Sequence, residues 1–304
     1  SEMCIRDRYI IADWRCTMHA YLIIAHDQFD LLESLLKCID DERNDIYIHI
    51  DSHSKLDISR IQSVLQNSRV EFVPRIHIRW GGFDMVRCEY ELLEAAFESG
   101  REYDYVHLIS GADLPLKNQD EIHRYFDEHK GEEFVHFGAP EPTEKELERV
   151  RYYHFASGRR NFFNRLVTKA ETVLGRIFGI NRIKGKKIQR GSQWFSVTGE
   201  FAKYLISQKS FVFKQFKHTY IPDEFFVQTV IINSSFADNL HSKKFDDDHE
   251  ACLRYIDWTR GHPYTFKSED YDELMNSGCL FARKFSIVQD DKIVRKITSA
   301  VLNG

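Results

Sequence analysis

From Met18 onward the chain alternates between two rhythms of apolar residues. Short, nearly continuous apolar runs such as HAYLIIAH (19–26), DIYIHI (45–50) and YDYVHLIS (103–110) read as strands buried on both faces. Between them, DQFDLLESLLKCIDD places Phe29, Leu32, Leu35, Leu36 and Ile39 at helical spacing, with Asp27 or Asp30 available as a cap. SKLDISRIQSVLQN (54–67) and FDMVRCEYELLEAAFESG (83–100) are two more predicted helices, the second stopping at Gly100. VEFVPRIHIRWGG (70–82) reads as extended and ends on two glycines. This β-α-β-α order predicts an α/β fold with a mostly parallel central sheet flanked by helices. In such sheets ligands bind beyond the carboxyl ends of the strands. His26, Asp51, Trp80-Gly81-Gly82 and Ser110-Gly111-Ala112-Asp113 all fall at those ends, which predicts a nucleotide-sized cleft there.

Residues 1–17 show neither rhythm, nor the basic, apolar, small-residue order of a signal peptide. SEMCIRDR at their head resembles translated adaptor sequence. They are read as a non-native extension, with 18–304 as a single domain.

Composition narrows the class. The 304 residues are 42% hydrophobic and 29% charged, enough to build a large core. A net charge of −5 gives no global basic field, so nucleic acid is not an expected partner. None of the six cysteines forms a CxxC pair, and they read as small buried hydrophobes in a reducing compartment. With no run of eighteen apolar residues, no spanning helix is expected, and the expected location is the cytoplasm. Neither GxxxxGK[ST] nor GxGxxG occurs, which argues against a P-loop NTPase and a dehydrogenase. HExxH is absent too, and Asp246-Asp247-Asp248 lies among polar residues and reads as a solvated loop.

One segment concentrates candidate chemistry. In TYIPDEFFVQTVI (219–231), the carboxylates Asp223 and Glu224 follow Pro222 and precede the apolar Phe225, Phe226, Val230 and Ile231. A helix start explains the acids through the helix dipole, and a general base explains them through proton transfer.

The blocks IYIHIDSHS, IRWGGFDMV, LISGADLPLKNQDEI, GSQWFSVTGEFAKYL, YIPDEFFVQTVI and LFARKF, running in order through most of the chain, resemble the core-2/I-branching glycosyltransferases, family 14. That family contains β-1,6-N-acetylglucosaminyltransferases and peptide O-xylosyltransferases. The resemblance implies a GT-A (Rossmann-like) fold, with a nucleotide-sugar half at about 18–118 and an acceptor and diphosphate half at about 119–304. It implies inverting transfer from a UDP-sugar to a hydroxyl of a glycan or lipid-linked glycan acceptor, with no divalent metal or other cofactor. Glu224 then matches the family's general base, with Asp223 as a cap or support on the acceptor side. Arg283 and Lys284 match fixed cations for the diphosphate, and Arg260 is a second candidate by spacing. His26, Asp51, Arg79 and Trp80 are expected on the donor side. Asp113, Gln193 and Trp194 are expected on the acceptor side, Trp194 stacking on a sugar. Gln193 departs from the xylosyltransferase branch, which carries an aspartate there.

The segment 162–190 lies outside these blocks. Its apolar Phe163, Leu166, Val167, Ala170, Val173, Leu174, Ile177 and Phe178 fall at helical spacing, beside Arg165, Lys169, Arg176, Arg182, Lys184, Lys186, Lys187 and Arg190. An amphipathic helix on the core and a peripheral helix on an anionic membrane both fit this pattern.

Overall fold

The computed structural model describes residues 17–55, 58–98, 100–155, 162–246 and 249–304. Nine strands occur among them: β1 (His19–Ala25), β2 (Asn44–Ile50), β3 (Arg69–Phe72), β4 (Tyr105–Ser110), β5 (Asp113–Pro115), β6 (Phe134–Val135), β7 (Phe195–Thr198), β8 (Arg254–Ile256) and β9 (Phe281–Arg283). The central sheet runs β3-β2-β1-β4-β7-β6. Its first four strands are parallel, and β7 is antiparallel to both of its neighbours. Helices cover both faces, as the apolar runs demand. Along β1, Tyr21, Ile23 and Ala25 enter one core, and Ala20, Leu22 and Ile24 the other. The architecture is the α/β arrangement expected of a GT-A domain.

The strand order reverses between β1 and β4, where a crevice opens at the carboxyl ends. Three later segments converge on it. Because β7 is antiparallel to β4, with Phe195 opposite Leu108, the preceding GSQW stretch lies beside the end of β4. A small sheet, β5-β9-β8, sets Asp113 opposite Arg283, joining the SGAD and FARKF motifs. The Ile221 N–H donates to Gly81 O at 2.9 Å, joining the WGG loop to YIPDE.

Some local expectations shift. Neither Asp27 nor Asp30 caps the helix Phe29–Ile39, because Gln28 stands at its N-cap in a left-handed conformation. The Gln28 side-chain Oε1 instead accepts from Ser286 Oγ (2.8 Å) and Ile287 N (3.0 Å). The predicted helix over 54–67 shrinks to Ile58–Gln62. Beyond it the Asp40 carboxylate captures the N–H groups of Gln66, Asn67 and Ser68, a competitor that helical bonds do not displace. The extended stretch 70–82 keeps only β3 as strand. Cys38, Cys88, Cys252 and Cys279 are buried, as expected, the first two on helices. Asp247 and Asp248 lie outside the described residues.

Candidate active site

A cleft of about 530 Å³ is lined by Trp80, His136, Arg149, Arg190, Gly191, Ser192, Gln193, Trp194, Ile221, Asp223, Glu224, His249, Trp258, His262, Pro263 and Arg283. It thus gathers Glu224, Asp223, Gln193, Trp194, Trp80 and Arg283 from four separate motifs. Its volume lies within the usual range for small-molecule sites.

Glu224 closes a single 3₁₀ turn, Pro222–Glu224. The turn enters through Ile221 in a left-handed conformation, and the helix Phe226–Ile232 anchors its far side in the core. The carboxylate sits between two guanidinium groups: Arg149 Nη2 donates to Oε2 at 2.9 Å and Arg190 Nε donates to the same atom at 3.1 Å. Both donors are themselves held. Arg149 also donates to the carbonyls of Tyr220 and Ile221 and stacks 4.6 Å from the Phe225 ring centre. Arg190 also donates to Glu146 at 2.7 Å. Oε1 carries neither bond.

Asp223, one residue earlier, is buried and receives no such donor; its Oδ1 lacks a hydrogen-bond partner. Burial, followed by the charge of Glu224, pushes its carboxyl up to about 7. Beneath it lies Glu89, fully buried on the helix Asp84–Glu98, where burial and then the Asp223 charge raise its carboxyl well above the usual range. Gln193 Nε2 reaches Glu89 Oε1 at 3.5 Å.

Gly191 lets this wall form. A Cβ there would stand 1.8 Å from His136 O and 2.9 Å from Gln228 Nε2, so any side chain would push the GSQW segment out of place. Trp194 forms a buried floor. The Arg283 guanidinium lies 4.2 Å from its ring centre, and 3.5 Å from the Asp113 carboxylate. Burial lowers the Arg283 pKa, opposed by Asp113. On the opposite wall His249 accepts from the Trp258 indole N–H at 3.0 Å and stacks on His136 at 4.1 Å. Burial pulls its imidazole down to about 3, so the ring stays neutral.

Other expected residues sit differently. Asp113 lies under Arg283 and not in the cleft wall, accepting from Ser110 N (3.0 Å) and Ser110 Oγ (2.6 Å). Lys284 is half-buried beside Arg283 but does not line the cleft. Arg260 is engaged elsewhere, by Asp257, Asp270 (2.7 Å) and Glu273 (3.1 Å), so its charge is already matched. Arg79 pairs with Asp84 at 2.6 Å and lines a separate hollow with Phe83, Arg87 and His218. Asp51 anchors the loop after β3 by accepting from Ile78 N and His53 N, both at 2.8 Å. His26 is exposed beside Asp27.

Sequence reasoning missed Arg149 and Glu89 and misplaced Arg190. Arg149 stands in KELERVR, whose charges at helical spacing look like a solvated face; no local signal marks it. Glu89 carried a signal, because helical spacing from Val86 and Leu93 puts it on the apolar face. The sequence pattern sets Arg190 among the cations of 162–190, although it directly precedes GSQW.

The sequence profile of the Core-2/I-Branching enzyme family matches residues 19–276, and the chain belongs to that family. Its curated relatives include "Xylosyltransferase oxt" of Drosophila melanogaster, 24% identical over 283 residues, covering 86% of this chain and 31% of that protein. "Xylosyltransferase 1" of Homo sapiens is 24% identical over 297 residues, covering 91% of this chain and 30% of that protein. The chain therefore spans about a third of the length of these relatives. Among solved structures, mouse xyloside xylosyltransferase 1 in its apo form aligns with 87% of this chain and 97% of its own, at 12% identity and a TM-score of 0.38.

Proposed function

We propose that the chain is an inverting, metal-independent glycosyltransferase. It moves a sugar, N-acetylglucosamine or xylose, from a UDP-sugar to a hydroxyl of a glycan or glycoconjugate. The observation that carries this reading is the single cleft joining a held carboxylate, Glu224, to a half-buried cation, Arg283, stacked on the aromatic Trp194. Glu224 accepts the proton of the acceptor hydroxyl at Oε1 while Arg149 and Arg190 fix the other oxygen. The hydroxyl oxygen bonds to the sugar's anomeric carbon as the bond from that carbon to the diphosphate breaks. UDP leaves with the electron pair, and Arg283 with Lys284 meets the charge on its β-phosphate. Trp194, Trp80 and Trp258 offer ring faces to sugars, and Gln193 orients the acceptor.

The chain works at the cytoplasmic face of a membrane on lipid-linked acceptors, docked through the helix Phe162–Ile177. The support is an apolar ridge turned outward, with Leu174 51% exposed, Ile177 71% and Phe178 73%, in a segment, 162–190, that also carries the exposed Lys169, Lys184, Lys186 and Lys187. Cations next to an apolar ridge match an anionic bilayer surface. No helix among the described residues is long and apolar enough to cross a membrane.

The test is a panel of nucleotide sugars screened for donor hydrolysis, with binding of UDP and uridine to Arg283→Ala and Lys284→Ala. One donor should be turned over. Each variant should weaken UDP at least tenfold and uridine little, since only the diphosphate carries the charge. Equal losses for both ligands would contradict the assignment.

A further inference from the structure

A second polar cluster lies at the other end of β4, away from the cleft. Tyr105, the first residue of that strand, donates its hydroxyl to the carbonyls of His129 (2.7 Å) and Glu132 (3.2 Å), so it braces the 129–132 turn from below. His241 arrives from a distant loop. Its N–H donates to Glu133 O at 3.0 Å, and Glu133 N donates to Asn239 O at 2.9 Å, so the two segments are locked side by side. His129, Glu132 and His241 each present a ligand atom, and these atoms lie within 4.8 Å of one another.

The side chains are held in a form suited to a metal. His129 Nδ1 lies 2.8 Å from Tyr125 O. A carbonyl only accepts, so Nδ1 carries the proton and Nε2 keeps its lone pair. Metal-binding histidines are commonly fixed in this way. The His129 ring stacks on Tyr125 at 4.2 Å, and the His241 ring packs on Phe134 at 4.4 Å. His241 Nδ1 meets Glu132 Oε2 at 2.6 Å. All three side chains are half-buried, which leaves one side open to water.

We propose that His129, Glu132 and His241 bind one zinc-class dication, with water as the fourth ligand. Two imidazoles and one carboxylate are a known zinc donor set, and imidazole disfavours magnesium and calcium. Bonds of about 2.0–2.1 Å in a tetrahedron put ligand atoms about 3.4 Å apart, so side-chain torsions must open the 2.6 Å His241–Glu132 contact and bring any wider pair, none beyond 4.8 Å, inward. Coordination at His241 Nδ1 breaks the hydrogen bond to Glu132 Oε2 and moves the ring proton to Nε2, which leaves both former partners free to face the ion. Once bound, the ion ties the 129–132 turn to the 241 loop and stabilises the edge of the sheet at β6. This site lies apart from Glu224 and Arg283 and does not depend on the proposed reaction.

The test uses the whole chain without an affinity tag, stripped with EDTA and dialysed. Zinc is titrated by calorimetry and cobalt(II) by visible absorption. The wild type should bind one equivalent with micromolar or tighter affinity, give the intense bands of tetrahedral cobalt and gain thermal stability with zinc. His241→Ala and Glu132→Gln should each lose at least tenfold in affinity and lose the cobalt bands, with circular dichroism confirming the fold. His77→Gln, which alters the separate Asp51, His53 and His77 group, should leave the equivalent in place. No binding by the wild type, binding unchanged in both site variants, or loss confined to His77→Gln would overturn the proposal.

Discussion

Asp223 and Glu224 are neighbours in one turn with opposite surroundings. Two guanidinium groups hold Glu224, whereas Asp223 is buried without a cation partner and its carboxyl titrates near 7. Pairs of acids set apart in this way divide roles, and Asp223 is the member that holds a proton. The raised value has a consequence for stability. An unfolded aspartate ionises near 3.9, so between about pH 4 and 7 the folded chain holds a proton that the unfolded chain has released. Stability therefore falls as pH rises through this window, and the full cost of ionising Asp223 in place is present above about 7. Asp223→Asn cannot ionise. Its denaturation free energy, relative to wild type, should be more favourable at pH 8 than at pH 5, by about 1 kcal/mol or more. A difference that is flat with pH would show that Asp223 is not held protonated.

Among the elements, the helix Phe162–Ile177 departs furthest from a simple reading of its sequence. Its spacing predicted an amphipathic helix, and it is one, but Leu166, Val173, Leu174 and Ile177 are exposed. Gly175 meets the body of the protein at Tyr152. Periodicity shows that an apolar face exists and not which way it turns, so the core-packed alternative was equally legible. The cations divide as well. Arg176 pairs with Glu148, Arg182 donates to the carbonyls of Val150, Tyr152 and His218, and Arg190 belongs to the cleft. The exposed lysines, each worth about 1 kcal/mol near an anionic leaflet, are the cations left for the proposed membrane contact. The chain should co-sediment with anionic vesicles and not with neutral ones, and high salt should weaken the binding. The double variant Ile177→Asp, Phe178→Asp should abolish it while leaving the melting temperature within about 2 °C, because exposed substitutions change stability little. Binding that survives the double variant would place the contact elsewhere.

For the whole molecule, the sheet was legible because buried parallel strands write continuous apolar runs, and β1, β2 and β4 fall where those runs predict. The convergence on the cleft was legible only as a set of resembling blocks. Strand order brings GSQW to the end of β4 and FARKF to SGAD, and no local pattern encodes that order. Arg149, 75 residues before Glu224 in the chain, shows the same limit: its partner is visible only once the chain has folded. Trp194 and Arg283 were found by motif, while their stacking and the Asp113 tether came from the packing of β5 on β9. The most direct measurement of the central claim is sugar transfer by wild type and Glu224→Gln, from the donor the screen identifies, in excess EDTA. Circular dichroism in the same buffer checks the fold. The wild type should keep its rate without free metal, and Glu224→Gln should lose on the order of a hundredfold or more while still binding donor. A Glu224→Gln rate near wild type, or strict dependence of the folded wild type on manganese or magnesium, would contradict it.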